Sequence, residues 1–402
     1  MTKYKFFIDS SKTIASSLLV AFGLQLIAYP FIINEIGNNQ FGEILTIYTL
    51  MTISSVVIGN TLNNIRLINV KYYSPDNIYM IFFKILFMSI ILESVILSII
   101  LNFYFHLAVV SIFYLIIINI LMCLRVYLLV FYRMKLEYNK IFWVSFYQFI
   151  GIVLGIIIYK FVNIWELLFL SSEILPIIYI LYTLNYKIKS KKLNDSISKS
   201  VLKDYLYLLS NNLLNNIVMY LDRLILLPLI GGTAVTLSYL ATFLGKIIAS
   251  FLYPINNVIL SYISLDESQN KFKQYMMVTS LGSILSIFVL AICYPLTLFI
   301  IENIYMQNSD DIKNYIIIGN SAILVGVIGN MIQSLNIKYV DLRIQSIFQF
   351  IYSIVVILLS IILTIKYGVL GFFLSLLIGN IFKGFSLLLI GYKYSNSKEF
   401  DK

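Results

Sequence analysis

Seven ionisable residues lie inside long apolar stretches of this 402-residue chain. A charge at the centre of a bilayer costs about 2.5–3.5 kcal/mol on insertion scales, so such side chains are expected to face a wet cavity or each other. The basic ones would suit an anionic group such as a phosphate or pyrophosphate, because Arg offers a fork of donors and Lys a mobile point charge. We therefore predict four substrate-binding cations, which are Arg223, Lys246, Arg125 and Lys383.

The three acidic residues of this group are open to two interpretations. They could carry a coupling proton or sodium ion, or they could simply pair with the basic residues. Asp222 directly precedes Arg223 and could close a structural ion pair, and Lys383 could instead extend its side chain to the cytoplasmic surface. The candidates for ion coupling are Asp222, Glu93 and Glu173.

Polar side chains recur at helical spacing around these charges. Asn212, Asn216 and Arg223 share one face of a helix, and Asn257 shares a face with Lys246. An earlier apolar stretch shows the same pattern more weakly. We predict that these faces line a polar path, and the lining residues are Asn212, Asn216, Asn257, Asn63 and Arg66.

The elements that must position these residues are membrane-spanning helices. The chain is 60% hydrophobic and 12% charged, with a mean hydropathy of +0.90, and no soluble fold could bury that much apolar surface. A spanning helix needs roughly 20 apolar residues, and lipid tolerates only helices and closed barrels. Because the apolar runs are continuous rather than alternating, they predict an all-α integral membrane protein. The predicted spans are 13–34, 42–62, 79–101, 107–130, 141–160, 164–185, 203–228, 234–258, 275–300, 314–336, 345–365 and 369–391.

The basic residues predict the orientation of these spans. Most of the 29 Lys and Arg residues lie at the N-terminus, in the even-numbered gaps or in the C-terminal tail, whereas the odd-numbered gaps hold only Lys160, Lys313 and Lys366. Basic loops stay in the cytoplasm, so both termini are predicted to be cytoplasmic. The net charge of +10 then reflects topology and attraction to anionic membrane lipids, and it requires no nucleic-acid partner.

The cysteines and the histidine predict neither a metal site nor a disulfide framework. Cys123 and Cys293 both lie in apolar runs, and His106 is the single histidine of the sequence. Three such residues cannot form a metal-ligand set. We therefore expect no metal and no cofactor.

The longest polar stretch, 185–204, divides the chain into two sets of six spans. A weak internal repeat supports this division, because residues 31–37 match residues 225–231 at an offset of 194 residues. Chance similarity between apolar helices is the alternative. Both halves would start and end on the cytoplasmic side, which corresponds to a parallel repeat. The predicted units are an N-terminal lobe at 1–190, a basic cytoplasmic linker at 191–203 and a C-terminal lobe at 204–402.

Two short segments open the two predicted halves. The first, 29–42, reads YPFIINEIGNNQFG, and the second, 220–226, reads YLDRLIL and is followed by Gly231 and Tyr239. They resemble the "P…lG…FG" and "D-R…lG…Y" segments of Wzx-type polysaccharide flippases, which belong to the multidrug/oligosaccharidyl-lipid/polysaccharide (MOP) exporter superfamily. The organisation is similar over nearly the whole chain, and it implies a MATE-like (MOP) fold with two six-helix lobes. Peptidoglycan-precursor flippases of this superfamily typically have fourteen spans, which argues against that branch.

The resemblance also implies a function. A flippase of this family would move undecaprenyl-pyrophosphate-linked oligosaccharide repeat units, such as those of O-antigen, to the outer leaflet of the bacterial cytoplasmic (inner) membrane. Alternating access through a cationic central cavity would let the sugar cross while the lipid tail stays in the bilayer. The implied partners are this lipid-linked oligosaccharide, membrane lipids, and the polymerase and other polysaccharide-assembly proteins.

Two other functions remain as alternatives. A multidrug or organic-cation antiporter would share the superfamily, but its cavity should be acidic or aromatic, whereas the charges here are mostly basic. A membrane polysaccharide polymerase or glycosyltransferase usually needs a sizeable outer loop with acids or bases. The longest outer gap, 301–313, offers Asp310 and Asp311, and no nucleotide-binding, nucleophile or zinc motif is present in the loops. We therefore expect a carrier and not an enzyme.

Overall fold

The protein is built almost entirely of helices. A computed structural model describes the backbone of residues 3–68, 79–184, 195–265, 271–340 and 342–395, and the side chains of 9, 11–67, 79–184, 201–210, 212–249, 275–336, 340 and 343–393. No β-strand is present in these ranges. The helices are α1 (Lys3–Phe22), a π-helical turn (Gly23–Ala28), α2 (Tyr29–Ile36), α3 (Asn38–Ile68), α4 (Met80–Phe103), α5 (Val109–Lys135), α6 (Tyr138–Val162), α7 (Glu166–Thr183), α8 (Asp195–Met219), α9 (Leu221–Leu229), α10 (Gly232–Leu265), α11 (Lys271–Asn303), α12 (Lys313–Tyr339) and α13 (Leu342–Ser395).

Ten helical segments of the described chain are long and apolar enough to cross a membrane. The longest contains two crossings, because 54 residues extend about 80 Å, whereas a hydrocarbon core is about 30 Å thick. Gly368, with φ 63° and ψ −143°, divides it into a first arm (342–367) and a second arm (369–395). The predicted span at 203–228 is occupied by α8 and α9, which are separated at Tyr220. The predicted all-α membrane fold of about twelve helices is confirmed.

Matching turns show that the two halves of the chain repeat the same order of helices. Gly37 follows α2 with φ 81°, and Gly231 follows α9 with φ 118°. In each case the glycine carbonyl accepts a hydrogen bond from the amide four residues later, at 3.0 Å from Phe41 and 3.4 Å from Val235. Glycine suits both positions because positive φ is strained for other residues. These turns lie at the offset of 194 residues that the sequence repeat predicts.

Two further pairs of turns extend the repeat. His106 and Met306 both adopt positive φ, at 51° and 52°, after α4 and α11. The three backbone hydrogen bonds that close the turn before His106 recur around Met306 at an offset of 200 residues. Asn163, with φ 57°, ends α6, and Gly368 ends the first arm of α13 in the equivalent place. Helices α3–α7 therefore correspond to α10, α11, α12 and the two arms of α13.

Packing divides the chain into two compact units whose boundary differs from the predicted one. The first unit is 1–36 with 43–220, and the second is 37–42 with 221–402. Helix α8 belongs to the first unit because Val201 and Tyr205 join its apolar core, and the Tyr205 hydroxyl lies 2.8 Å from that of Ser89. The predicted lobes, 1–190 and 204–402, assign most of α8 to the C-terminal lobe, whereas the packing assigns it to the first unit. The side chains of most of the predicted linker, 191–203, lie outside the described residues.

Close helix contacts through glycine stabilise both units. In the first unit, a Cβ on Gly155 would lie 2.6 Å from the Leu168 carbonyl oxygen, and one on Gly151 would lie 2.5 Å from that of Ser171. This GxxxG spacing lets α6 and α7 approach closely, as is common in membranes. In the second unit, Gly42 contacts Gly232 in the same way.

Candidate functional site

The break between α8 and α9 places an acid and a base in the first turn of a short helix. Asp222 and Arg223 are the second and third residues after Tyr220, and both are buried, at 5% and 8% exposure. A carboxylate is favoured at a helix N-terminus, because the backbone amides there are unpaired and the dipole is positive. The break between α8 and α9 therefore positions this charged pair at the start of α9.

Helix α10 contributes the second predicted cation of this region. The Lys246 ammonium nitrogen lies 2.5 Å from Asp222 Oδ2, and 30% of the lysine side chain is exposed. The Arg223 guanidinium lies 5.8 Å from the ring centroid of Tyr239, also on α10. The structure thus brings Asp222, Arg223 and Lys246 together in the second unit, and the three side chains carry one net positive charge. We call them the α9–α10 cluster.

In the first unit, Arg125 lies against Glu173. Its Nε donates to Glu173 Oε2 at 2.6 Å, and its Nη2 donates to Oε1 at 3.1 Å. Gln148 of α6 donates to the same Oε1 at 3.0 Å. The Glu173 side chain is completely buried, so this first triad (Arg125, Gln148, Glu173) is a closed ion pair that joins α5, α6 and α7. Of the two interpretations of Glu173, the geometry supports pairing with arginine.

Glu93 has neutral partners. The side-chain amide of Asn119 on α5 donates to its carboxylate, and Ser54 of α3 donates to Asn119 Oδ1 at 3.1 Å. No basic side chain among the described residues forms an ion pair with Glu93. Its proposed role in ion coupling stays a prediction, as does that of Asp222.

Lys383 lies in the second unit on the second arm of α13. It is 6% exposed, and its ammonium donates to Asn330 Oδ1 of α12 at 2.7 Å. The ammonium nitrogen also lies 5.2 Å from the ring centroid of Tyr352 on the first arm. The side chain is therefore packed within the second unit, against α12 and the first arm of α13. We call Asn330, Tyr352 and Lys383 the second triad.

The predicted lining residues form packing contacts. Asn63 is completely buried and donates to the Val126 carbonyl at 2.8 Å. Arg66 is also completely buried, with its guanidinium 4.2 Å from the ring centroid of Phe131. In this structure these two side chains join α3 to its neighbours and do not line an open cavity, because every face of each is covered.

The remaining lining residues lie nearer the surface of the first unit. Asn212 donates to Thr61 Oγ1 at 2.9 Å, and Asn216 donates to the carbonyl of Asn212 at 2.8 Å. Both are half-buried, so each retains some access from outside the unit. The side chain of Asn257 lies outside the described residues, and its predicted role is not tested by the structure.

Sequence reasoning did not identify the neutral partners of these charges. Gln148, Asn119, Asn330 and Tyr352 each contact a predicted site residue, yet polar residues of these types are frequent in the spans. The internal repeat offered a signal, because Gln148 and Tyr352 lie 204 residues apart on equivalent helices. Among the described residues, no group of His, Cys, Asp and Glu has the arrangement of a metal site.

Comparisons with known proteins give similarity in structure alone. No known family model and no curated protein matches the sequence. The lipid II flippase MurJ, in an inward closed conformation, matches with a TM-score of 0.68 and 18% identity over 96% of this chain and 87% of that chain. A MATE transporter of Vibrio cholerae, VcmN, matches with a TM-score of 0.61 and 12% identity over 98% and 97% of the two chains. An inward-facing multidrug resistance MATE family transporter of the MOP superfamily gives 0.55 and 14% over 96% and 94%.

These matches cover nearly the whole chain. At such low identities they establish a shared fold alone. The chain is a multi-pass membrane protein whose fold is similar to those of MurJ and the MATE transporters, as the resemblance in its sequence implies.

Proposed function

We propose that this chain is a MOP-superfamily carrier that flips an undecaprenyl-pyrophosphate-linked oligosaccharide repeat unit across the bacterial cytoplasmic membrane. The observation that carries this proposal is the charge of the second unit. Among its described side chains, those that are buried or half-buried carry three positive charges and one negative charge. The positive ones are Arg223, Lys246 and Lys383, and the negative one is Asp222.

An excess of buried positive charge suits an anionic cargo group. Arg and Lys bind phosphate oxygens through charge-assisted hydrogen bonds, which strengthen where water is excluded. A pyrophosphate would meet this requirement, and a cationic drug would be repelled by it. The carrier would expose the cationic site first to one side of the membrane and then to the other.

The fold supports a carrier over an enzyme. MurJ, which shares this fold, is a lipid II flippase, and a lipid-linked sugar is the class of cargo that we infer for this chain. The described residues 303–313 between α11 and α12 form a short connection, in which Lys313 pairs with Asp310 at 2.7 Å. That contact is an exposed ion pair and not an assembled catalytic group. We therefore infer transport, with membrane lipids and the cargo as partners. A polymerase and other polysaccharide-assembly proteins would then act on the transported repeat unit.

The experiment that tests this proposal locates the lipid-linked repeat unit in cells. We expect deletion of the gene to remove surface glycan and to trap single repeat units on the cytoplasmic leaflet. Arg223→Ala and Lys246→Ala should reproduce this defect at normal protein levels. Lys313→Ala is the matched control, because Lys313 is an exposed lysine that pairs with the exposed carboxylate of Asp310 among the described residues.

Three results would contradict the proposal in different ways. Full export by both Arg223→Ala and Lys246→Ala would show that these two cations are not needed for transport. Single repeat units that reach the outer leaflet without growing into chains would indicate a polymerase. Unchanged glycan together with altered drug susceptibility would indicate a multidrug antiporter.

A further inference from the structure

The two triads link equivalent helices of the two halves. The first triad joins α5, α6 and α7, and the second triad joins α12 and the two arms of α13. Arg125 and Asn330 lie 205 residues apart in the sequence, close to the offset of 204 between Gln148 and Tyr352. The third members, Glu173 and Lys383, lie on the equivalent last helices of the two halves, which are α7 and the second arm of α13. The repeat therefore places two buried polar centres in corresponding parts of the two units.

The two centres differ in charge. In the first triad, the Arg125 guanidinium and the Glu173 carboxylate neutralise each other at 2.6 Å and 3.1 Å. In the second triad, the Lys383 ammonium contacts an amide oxygen at 2.7 Å and an aromatic ring at 5.2 Å. No carboxylate of the described residues forms an ion pair with Lys383. The second centre thus holds a basic group with neutral partners at a position where the first holds an ion pair.

A buried ammonium without a counter-charge is unfavourable. Burial of an ionised group is compensated only when it is paired and hydrogen-bonded. An ammonium has three N–H donors, and Asn330 accepts one of them. The Tyr352 hydroxyl donates to Asn380 Oδ1 at 2.7 Å, and the ammonium lies over the Tyr352 ring; the hydrogen bond to Asn330 is the one that the described residues provide for this ammonium. Lys383 therefore has capacity for an additional anionic partner.

Small residues lie beside the stem of Lys383. A Cβ on Gly329, on the facing helix α12, would make only ordinary van der Waals contact with the lysine, at 3.6 Å from Cδ. At Gly384, which follows the lysine, no atom of the described residues lies within 4 Å of an added Cβ. The packing beside the lysine stem is therefore not tight at these two glycines.

We propose that Lys383 and Asn330 form an anion site for a phosphate-type group, separate from the α9–α10 cluster. In the α9–α10 cluster, Lys246 already contacts a carboxylate, whereas Lys383 does not. The Lys383 ammonium would donate to the phosphate oxygens, and the Asn330 side-chain amide would orient the ammonium. The identification of the phosphate as that of a lipid-linked cargo rests on the proposed function, whereas the anion site itself does not.

The test measures binding of inorganic pyrophosphate to the purified full-length protein in a neutral detergent, by calorimetry. Lys383→Met should weaken binding about ten- to a hundredfold, because a charge-assisted hydrogen bond contributes roughly 1.5–3 kcal/mol. Asn330→Asp should weaken pyrophosphate binding by a similar factor. The new carboxylate would pair with the Lys383 ammonium and make the second triad neutral, like the first. Lys383→Arg should retain most of the affinity, and Lys313→Ala is the exposed-lysine control.

Asn330→Asp also guards against a folding artefact, because it adds an ion pair within the existing contact. Unchanged affinity in both Lys383→Met and Asn330→Asp would overturn the proposal, and so would the absence of pyrophosphate binding to the wild-type protein. Competition by phosphatidylglycerol in nanodiscs would identify a lipid headgroup as the occupant. Its absence would favour the phosphate of the cargo. Loss of binding in Lys383→Met with unchanged leaflet distribution of the repeat unit would leave the anion site standing and show that it does not bind the cargo, whereas the proposed function itself fails only if Arg223→Ala and Lys246→Ala still export.

Discussion

The Lys246 ammonium of α10 lies 2.5 Å from the Asp222 carboxylate in the first turn of α9. This contact connects the short helix after the break at Tyr220 to the long helix that follows it. Asp222→Asn removes the counter-charge and leaves Lys246 partly buried. We expect a loss of about 1–3 kcal/mol, less than for a fully buried pair, because 30% of the lysine side chain is exposed. Thermal unfolding of the purified protein measures this change.

A double substitution separates the structural role of this pair from its role in transport. Asp222→Asn with Lys246→Met removes both charges, and we expect it to recover stability to within about 1 kcal/mol of the wild type. This double variant should not transport the cargo, because it lacks the Lys246 ammonium. Recovery of transport together with stability would show that the pair only joins the two helices.

The ion pair between Arg125 and Glu173 predicts a larger loss of stability. Glu173→Gln leaves the arginine without its carboxylate in a closed interior, and breaking a fully buried pair costs about 3–5 kcal/mol. Replacement of both residues by Met should restore most of this stability, because no buried charge then remains. Unfolding temperatures of the single and double variants give the comparison.

The same double variant tests whether this pair acts only in packing. Pairing alone predicts that the Arg125→Met, Glu173→Met protein still transports its cargo. A stable double variant without transport would instead give the pair a role in transport, either through Glu173 in ion coupling or through Arg125 in cargo binding.

Close packing between α6 and α7 predicts that Gly155 cannot be replaced. A Cβ at this position would lie 2.6 Å from the Leu168 carbonyl oxygen and 2.7 Å from Leu168 Cα. Because these are backbone atoms of a packed helix, Gly155→Ala must separate the helices, and overpacking of this kind costs about 1–3 kcal/mol. Gly384→Ala is the matched control, since no described atom lies within 4 Å of its added Cβ. Equal unfolding temperatures for the two variants would contradict the role of Gly155 in packing.

The sequence predicted the membrane helices because each depends on local composition. The apolar runs coincide with α1–α7 and α10–α12, and the glycine spacing of the repeat coincides with the turns at Gly37 and Gly231. The predicted continuous span at 203–228 does not show the break at Tyr220, since no residue there is a strong helix breaker.

The partners of the buried charges could not be predicted in the same way. Arg125 and Glu173 are 48 residues apart on helices that are not consecutive, and only the packing of three helices brings them together. Likewise, α8 joins the first unit through contacts such as Tyr205 with Ser89, which are 116 residues apart. Composition indicates that such groups need partners, and tertiary structure selects them.

The proposed orientation in the membrane predicts which loops can be labelled from outside the cell. Asp310 lies between α11 and α12, where the distribution of basic residues predicts the outer side, and Glu137 lies between α5 and α6, where it predicts the cytoplasm. Both side chains are at least partly exposed, so a cysteine at either position is accessible from its own side. In a background with Cys123 and Cys293 replaced by Ser, Asp310→Cys should react with an impermeant maleimide in intact cells. Glu137→Cys should react only after the cells are opened. The opposite pattern would reverse the predicted topology and place both termini outside, and it would require the proposed direction of transport to be revised.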